Sequence, residues 1–277
     1  MIVHEHPAKY SRPVLDALRQ ELTLMAGARA PSDGHIRVLD PFAGTGRIHG
    51  LGGVVGGIGV DTVGVELEPE WAQMSPGTIV GDALNVVEMF GARSFDAVMT
   101  SPCYGNRMAD HHDAKDRCRE CNGLGEVDDP FDPTGRGRCE KCKGSGLSNR
   151  NTYKAKLGRD PSPGSAAIMQ WGPEYRRFHR DCLAGFRDVL VDGGRLVVNM
   201  KNHKRGEPGK GPVEQLVVEW WLATMLAQDL RLLSATPVRA QGNRQGENGH
   251  THRDENIDDD PRVDVEFILV AERPVGR

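Results

Sequence analysis

Four cysteines stand in two pairs, Cys118-x-x-Cys121 and Cys139-x-x-Cys142, with 17 residues between the pairs. Two residues between thiolates let both sulfurs reach one tetrahedral ion, and the intervening loop returns the chain for the second pair. The spacing is that of a zinc ribbon. Gly123 and Gly125 follow the first knuckle, and Gly144 and Gly146 follow the second. Such residues suit a chain that turns tightly around a metal. Four thiolates leave no open position, so the site is structural rather than catalytic. The competing use of these residues is two disulfides in a secreted chain. Met1–Tyr10 carries charges and a proline but no apolar signal core, which favours zinc and a cytoplasmic protein.

A second set of chemistry-bearing residues lies in loops: Asp40–Arg47, Glu66–Glu68, Gly81-Asp82 and Ser101–Tyr104. Gly44 and Gly46 allow backbone to approach a ligand closely at a helix start. The loop has neither the Lys-Ser/Thr of a phosphate cradle nor the three-glycine dinucleotide fingerprint. A carboxylate at the end of a second strand, here Glu66, is where such folds grip a ribose diol. Taken alone, Glu66 also reads as a solvated loop acid.

These loops need strands to end in them, and the chain supplies candidates. A helix is predicted near Pro13–Ala26, and strands over Ile36–Leu39, Thr62–Leu67, Thr78–Val80 and Phe95–Thr100. Regular structure resumes with a helix over Glu174–Leu190 and a strand Arg195–Met200 after a Gly193-Gly194 turn. A helix near Val213–Ala227 and strands near Leu230–Pro237 and Val263–Ala271 follow. Alternating strands and helices predict an open, mostly parallel α/β sheet with helices on both faces. Residues 105–170 break the rhythm, so the expected organisation is 1–104 and 171–277 as one domain with 105–170 inserted. The 277 residues are long enough for that core, and no apolar run reaches membrane-spanning length.

Together, the four loops resemble the S-adenosylmethionine-dependent amino-methyltransferases of DNA. The order there is cofactor loop, ribose acid, adenine-contacting acid, then an (Asp/Asn/Ser)-Pro-Pro-(Tyr/Phe) catalytic loop. His6–Tyr10 is similar to the family's short segment that closes over methionine, and Val265–Val270 to its last hairpin strand. The resemblance covers roughly 1–105 and 170–272 and implies a class I methyltransferase (Rossmann-like) fold. It implies Asp40, Gly44 and Gly46 around the methionine part of the cofactor, with Tyr10 and Phe42 also in the cofactor-binding set. Glu66 would bind the ribose hydroxyls and Asp82 the adenine amino group. Ser101 and the carbonyl of Pro102 would accept hydrogen bonds from the target amino group, and Tyr104 would stack on a base flipped from duplex DNA. Ser in the first loop position leans toward N4 of cytosine over N6 of adenine. The cysteine pairs resemble the Cys-x-x-Cys-x-Gly-x-Gly repeats of J-domain co-chaperones.

One position departs from the family. Cys103 stands where a second proline is usual, and Pro-Cys at this loop is also where carbon-5 cytosine methyltransferases carry their attacking thiolate. Neither their Glu-Asn-Val tripeptide nor their Gln-x-Arg-x-Arg segment is present, and the other reading of Cys103 is a small buried side chain. An RNA amino-methyltransferase and a non-catalytic zinc-containing binding module are the remaining alternatives. A cognate nuclease is the partner that a restriction-modification role would bring.

Residues 115–160 hold 11 Lys/Arg and 8 Asp/Glu, a formal +3 in a chain of −4, leaving −7 for the rest. A zinc ion on four thiolates contributes about −2, so the metal-bound insertion is barely positive. Its cations are Arg117, Arg119, Arg136, Arg138, Lys141, Lys143, Arg150, Lys154, Lys156 and Arg159, with Tyr153 among them. Leaving from the catalytic loop, the insertion is expected near the substrate mouth, either as a recognition element or as a stapled loop. Trp220 and Trp221 read as core. His111, His112, His179, His203, His250, His252 and Asp258–Asp260 show no reliable ligand pattern.

Overall fold

The computed structural model describes residues 10–28, 34–105, 118, 120–129, 135–140, 142, 144, 146, 153–207, 211–240 and 264–276. His6–Lys9, His111, His112, Arg117, Arg119, Lys141, Lys143, Arg150, His250, His252 and Asp258–Asp260 lie outside these residues, as does the side chain of Lys154.

The chain opens with helix α1 (Arg12–Ala28), strand β1 (His35–Asp40) and a single 3-10 turn (Arg47–Leu51). Strands β2 (Gly53–Val55) and β3 (Ile58–Glu66) form a hairpin, followed by α2 (Pro69–Ala72), β4 (Thr78–Val80), α3 (Val86–Phe90) and β5 (Phe95–Thr100). Between β5 and the next long helix come β6 (Glu126–Asp128), β7 (Arg136–Arg138) and α4 (Tyr153–Leu157). Helix α5 (Pro173–Val189), β8 (Leu190–Met200), the hairpin β9 (His203–Glu207) and β10 (Gly211–Gln215), α6 (Val217–Ala227), β11 (Arg231–Ala240) and β12 (Asp264–Glu272) complete it.

The main sheet runs β11-β12-β8-β5-β1-β3-β2, with β4 also pairing β3. The β4-β3-β1-β5-β8 stretch is parallel, while β12 runs antiparallel between β8 and β11. Neighbouring residues along the central strands are apolar on both faces, as a parallel sheet covered on both sides requires. Val38, Ala97, Met99 and Val197 face α1, which buries Val14, Leu18, Leu22 and Met25 at helical spacing. Leu39, Val98, Leu196 and Val198 face the other way, onto Leu183, Phe186 and Val189 of α5 and Trp221 and Met225 of α6. Phe186 is fully buried, and truncating such a ring costs about 3–5 kcal/mol.

The α/β class and the two-faced cover agree with the expectation, and several boundaries do not. Strand β8 starts at Leu190, directly after α5, and runs through Gly193 and Gly194 where a turn was expected. The guanidinium of Arg273 closes the helix end there, donating to the carbonyls of Arg187, Asp188 and Leu190. Val213 belongs to the β9–β10 hairpin and not to a helix, so α6 begins only at Val217. The short β2 was not foreseen. As expected, Trp221 is core, whereas Trp220 is only partly buried against it. Among the described residues no helix is long and apolar enough to cross a membrane.

Candidate functional site

Strand order reverses between β1 and β5: the chain adds β3 and β4 on one side of β1, then β5 and β8 on the other. Ligands of open α/β sheets bind beyond the carboxyl ends of strands at such a switch point. Asp40 ends β1 and Thr100 ends β5, and Thr100 Oγ1 donates to Asp40 Oδ1 at 2.7 Å. The Tyr10 hydroxyl donates to Asp40 Oδ2 at 2.8 Å, and the Phe42 amide to Oδ1 at 3.1 Å. Asp40 is 0% exposed, and burial pushes its carboxyl up to about 6 against the pull of the hydroxyl donors. It ties Tyr10, the turn at Phe42 and the end of β5 to one another.

The loop itself turns through Gly44 (φ 55°) and Gly46 (φ 75°). A Cβ on Gly46 would sit 2.5 Å from the Cβ of Ser75, so position 46 excludes a side chain on two counts. Glu66 Oε2 accepts the Gly44 amide at 2.9 Å, and Oε1 accepts the Glu68 amide at 2.9 Å. Glu66 therefore joins the ends of β1 and β3 while each oxygen keeps a lone pair free for a ligand hydroxyl. Burial raises its carboxyl to about 7, with the two amides opposing. Asp82 caps a short turn by accepting the Leu84 amide on Oδ1 at 2.9 Å. Its Oδ2 has no bond among the described residues. Backbone without side chains, a shielded acid one strand away and a second acid on the next loop fit the methionine, ribose and adenine parts of S-adenosylmethionine.

The Ser101–Tyr104 loop leaves β5 at the same rim. Ser101 Oγ and the Tyr104 hydroxyl are 3.1 Å apart. The side-chain amide of Asn199 on β8 faces both, at 3.2 Å and 3.1 Å, and donates to Glu266 Oε2 on β12 at 2.8 Å. Glu266 accepts only, so it sets the amide nitrogen toward the loop. The carbonyl of Cys103 accepts from the Tyr175 hydroxyl at 2.8 Å, and that of Gly105 from the Trp171 amide at 2.7 Å. Gly105 (φ 74°) is pressed against Trp171, where a Cβ would approach the Trp171 nitrogen to 3.0 Å. His179 packs on Tyr175 with ring centroids 3.9 Å apart, and burial lowers it to about 4. It is a neutral core residue behind the loop.

Cys103 turns away from a nucleophile's surroundings. Its Sγ lies 3.6 Å from the Tyr153 hydroxyl in a cluster with Trp71, Leu157 and Ala167, and burial lifts the thiol to about 11. A thiol so placed is protonated at neutral pH. Tyr153 lies in α4, and the segment that follows it docks onto the loop after β3. Glu68, 1% exposed, accepts from the Ser162 amide and hydroxyl and from Arg159, which also holds Glu70.

The four cysteines Cys118, Cys121, Cys139 and Cys142 meet as expected, their sulfurs within 4.8 Å of one another and all buried. The two knuckles repeat each other at an offset of 21 residues. Cys118 N donates to the Gly146 carbonyl, and Cys139 N to that of Gly125. The amides of Gly125 and Gly146 point at Cys121 Sγ and Cys142 Sγ, at 3.2 Å and 3.3 Å. For Cys142, burial raises the thiol, but the Gly146 amide and the neighbouring sulfurs outweigh it and bring the group down to about 6. Sulfurs that converge and receive amide hydrogens suit the thiolate form that zinc binds.

Thr100, Asn199, Glu266, Arg159 and Glu68 were not foreseen as part of this site. Thr100 precedes the loop motif directly, and Asn199 stands near the carboxyl end of its strand, which are positional signals. The partnership of Arg159 with Glu68 crosses 91 positions and leaves no local pattern.

The sequence matches no known family model and no curated protein. Its structure is similar to TrmN from Thermus thermophilus, at 16% identity over 94% of this chain and TM-score 0.43. The chain spans about half of that protein, 48% of its length. It is also similar to an S-adenosylmethionine-dependent methyltransferase from Methanosarcina mazei, at 9% identity, 88% of this chain, 94% of that one and TM-score 0.43. A third similar structure is described as a DNA modification methylase, also of Thermus thermophilus, in complex with S-adenosyl-L-methionine. It is 17% identical over 72% of this chain and 55% of that one, with TM-score 0.36. The chain has an α/β fold, a mostly parallel sheet in which the antiparallel β12 lies between β8 and β11, with helices on both faces.

Proposed function

We propose that this chain transfers a methyl group from S-adenosylmethionine to an exocyclic amino nitrogen of a base flipped out of DNA, N4 of cytosine ahead of N6 of adenine. The observation that carries the reading is the bond between Asp40 and Thr100, which sets the candidate cofactor loop and the Ser101–Tyr104 loop side by side at the switch point. When bound, the sulfonium supplies an electrophilic methyl group, so orientation is the protein's main contribution. Glu66 takes the ribose hydroxyls and Asp82 the adenine amino group, while Gly44 and Gly46 let the backbone close on the methionine portion. Ser101 and the Pro102 carbonyl accept hydrogens of the target amino group, which favours a more tetrahedral nitrogen with its lone pair released from the ring. Asn199 and Tyr104 hold the Ser101 hydroxyl in place, and the Tyr104 ring supports the base. Zn2+ on Cys118, Cys121, Cys139 and Cys142 is a structural staple.

The protonated, packed Cys103 argues against carbon-5 attack. Competition between duplex DNA and tRNA for a labelled methyl group tests the substrate class. Preferential labelling of DNA supports the reading, and preferential labelling of tRNA moves the same chemistry to RNA. A chain that fails to bind S-adenosylmethionine by calorimetry is instead a zinc-containing binding module.

A further inference from the structure

Two cations sit over aromatic rings near the carboxyl end of the Ser101–Gly105 loop, one over Tyr104 and one over the tryptophan that holds Gly105. Lys201, just past the carboxyl end of β8, places Nζ 5.5 Å from the centre of the Tyr104 ring. Arg176, on the first turn of α5, places its guanidinium carbon 5.6 Å from the centre of the Trp171 ring, whose own backbone holds Gly105. Trp171 is only partly buried and Arg176 is exposed. The guanidinium of Arg176 donates to the Gly172 carbonyl and pairs with no carboxylate among the described residues. Two cations of residues 115–160 differ in this respect. Arg136 lies 3.9 Å from Glu126, and Arg159 is held by Glu68 and Glu70. With about −2 from a four-thiolate zinc, the insertion offers little attraction to a polyanion. In a chain of net charge −4, affinity for one must come from local groups.

We propose that Lys201 with Tyr104, and Arg176 with Trp171, form the rim that holds the target nucleotide and one next to it. The proposal rests on the reading of this site as a nucleic-acid methyltransferase and names the surface through which the strand binds. Lys201 takes the phosphate of the nucleotide whose base meets Tyr104. Arg176 takes a neighbouring phosphate, which its planar fork can grip through two hydrogen bonds, while the Trp171 ring offers its face to the adjoining base. Arg176 is exposed, and an exposed cation–ring contact is worth only about 0.5–1 kcal/mol, so it aims the guanidinium without withholding it from a phosphate.

The test is the affinity for a fluorescein-labelled DNA duplex, measured by anisotropy across a salt series with cofactor present, beside calorimetry of S-adenosylmethionine and thermal melting of each variant. Arg176→Ala and Lys201→Ala are expected each to weaken DNA binding about 5- to 10-fold and to flatten the salt slope by about 1, the loss of one phosphate contact. Cofactor affinity and melting temperature stay unchanged. Arg176→Lys keeps the slope while losing part of the affinity, and Trp171→Phe keeps most of both. If the parent chain binds DNA and the alanine variants match it in affinity and slope, the rim is wrong while the methyltransferase reading stands. A parent chain that binds cofactor but no DNA overturns both. Weaker DNA binding that comes with lost cofactor affinity or a lowered melting point also overturns the rim, since the residues are then structural.

Discussion

Arg159 sets its guanidinium 2.7 Å from the buried carboxylate of Glu68, so that the segment following the cysteine cluster is tied to the loop that follows Glu66. Ser162 adds two further hydrogen bonds to the same carboxylate. Arg159→Ala leaves Glu68 buried with less compensation, and because Arg159 is itself partly exposed the cost is about 1–3 kcal/mol. Thermal melting and urea titration will show that loss. Cofactor affinity will fall as well, because Glu68 donates its amide to Glu66.

Glu66 gives the site a pH dependence with a definite sign. Its carboxyl is raised from 4.5 to about 7 by burial, so the folded chain binds the proton more tightly than the unfolded one. The group's contribution to stability is therefore greatest below about 4.5 and is lost as pH rises to about 7, a change of a few kcal/mol at most. On the proposed function, Glu66 binds ribose hydroxyls in its ionised form, so cofactor affinity runs the other way. Calorimetry is expected to show affinity rising up to about tenfold between pH 6 and pH 8. Glu66→Gln removes that rise.

The cysteine cluster predicts its own stoichiometry. Elemental analysis will find one zinc per chain, bound by the four converging sulfurs. Cys139→Ser or a strong chelator removes it and opens the Cys118–Gly146 region to trypsin. The far-UV signal of the main sheet persists, because the cysteines form a cluster separate from both faces of that sheet.

Cys103→Ser is expected to keep methyl transfer within about threefold of the parent, whereas loss of a required nucleophile costs several orders of magnitude. Tyr153 and Trp71, which pack around the thiol, tolerate a hydroxyl of nearly the same size. Assay of the purified variant with DNA and cofactor decides the point.

Much of the fold was legible because its signals are local. Helix α1 announces itself through Val14, Leu18, Leu22 and Met25, and β1 and β5 through apolar runs that end in polar loops. The zinc knuckles were readable for the same reason, since Cys-x-x-Cys with trailing glycines is a short-range pattern. Position 213 misled because Pro212-Val213 beside an apolar stretch reads as a helix start, while pairing with His203–Glu207 makes it a strand. The support of the site lay further out of reach. Asn199, Glu266 and Thr100 act through partners 60 or more positions away, and the bond between Tyr10 and Asp40 spans 30.

The most direct test of the central claim is mass spectrometry of nucleosides from DNA incubated with the protein and methyl-deuterated S-adenosylmethionine. The account predicts label in N4-methylcytosine, or failing that in N6-methyladenine, and its loss in Tyr104→Ala. Label in 5-methylcytosine, or unlabelled nucleosides from a chain that binds the cofactor, would contradict it.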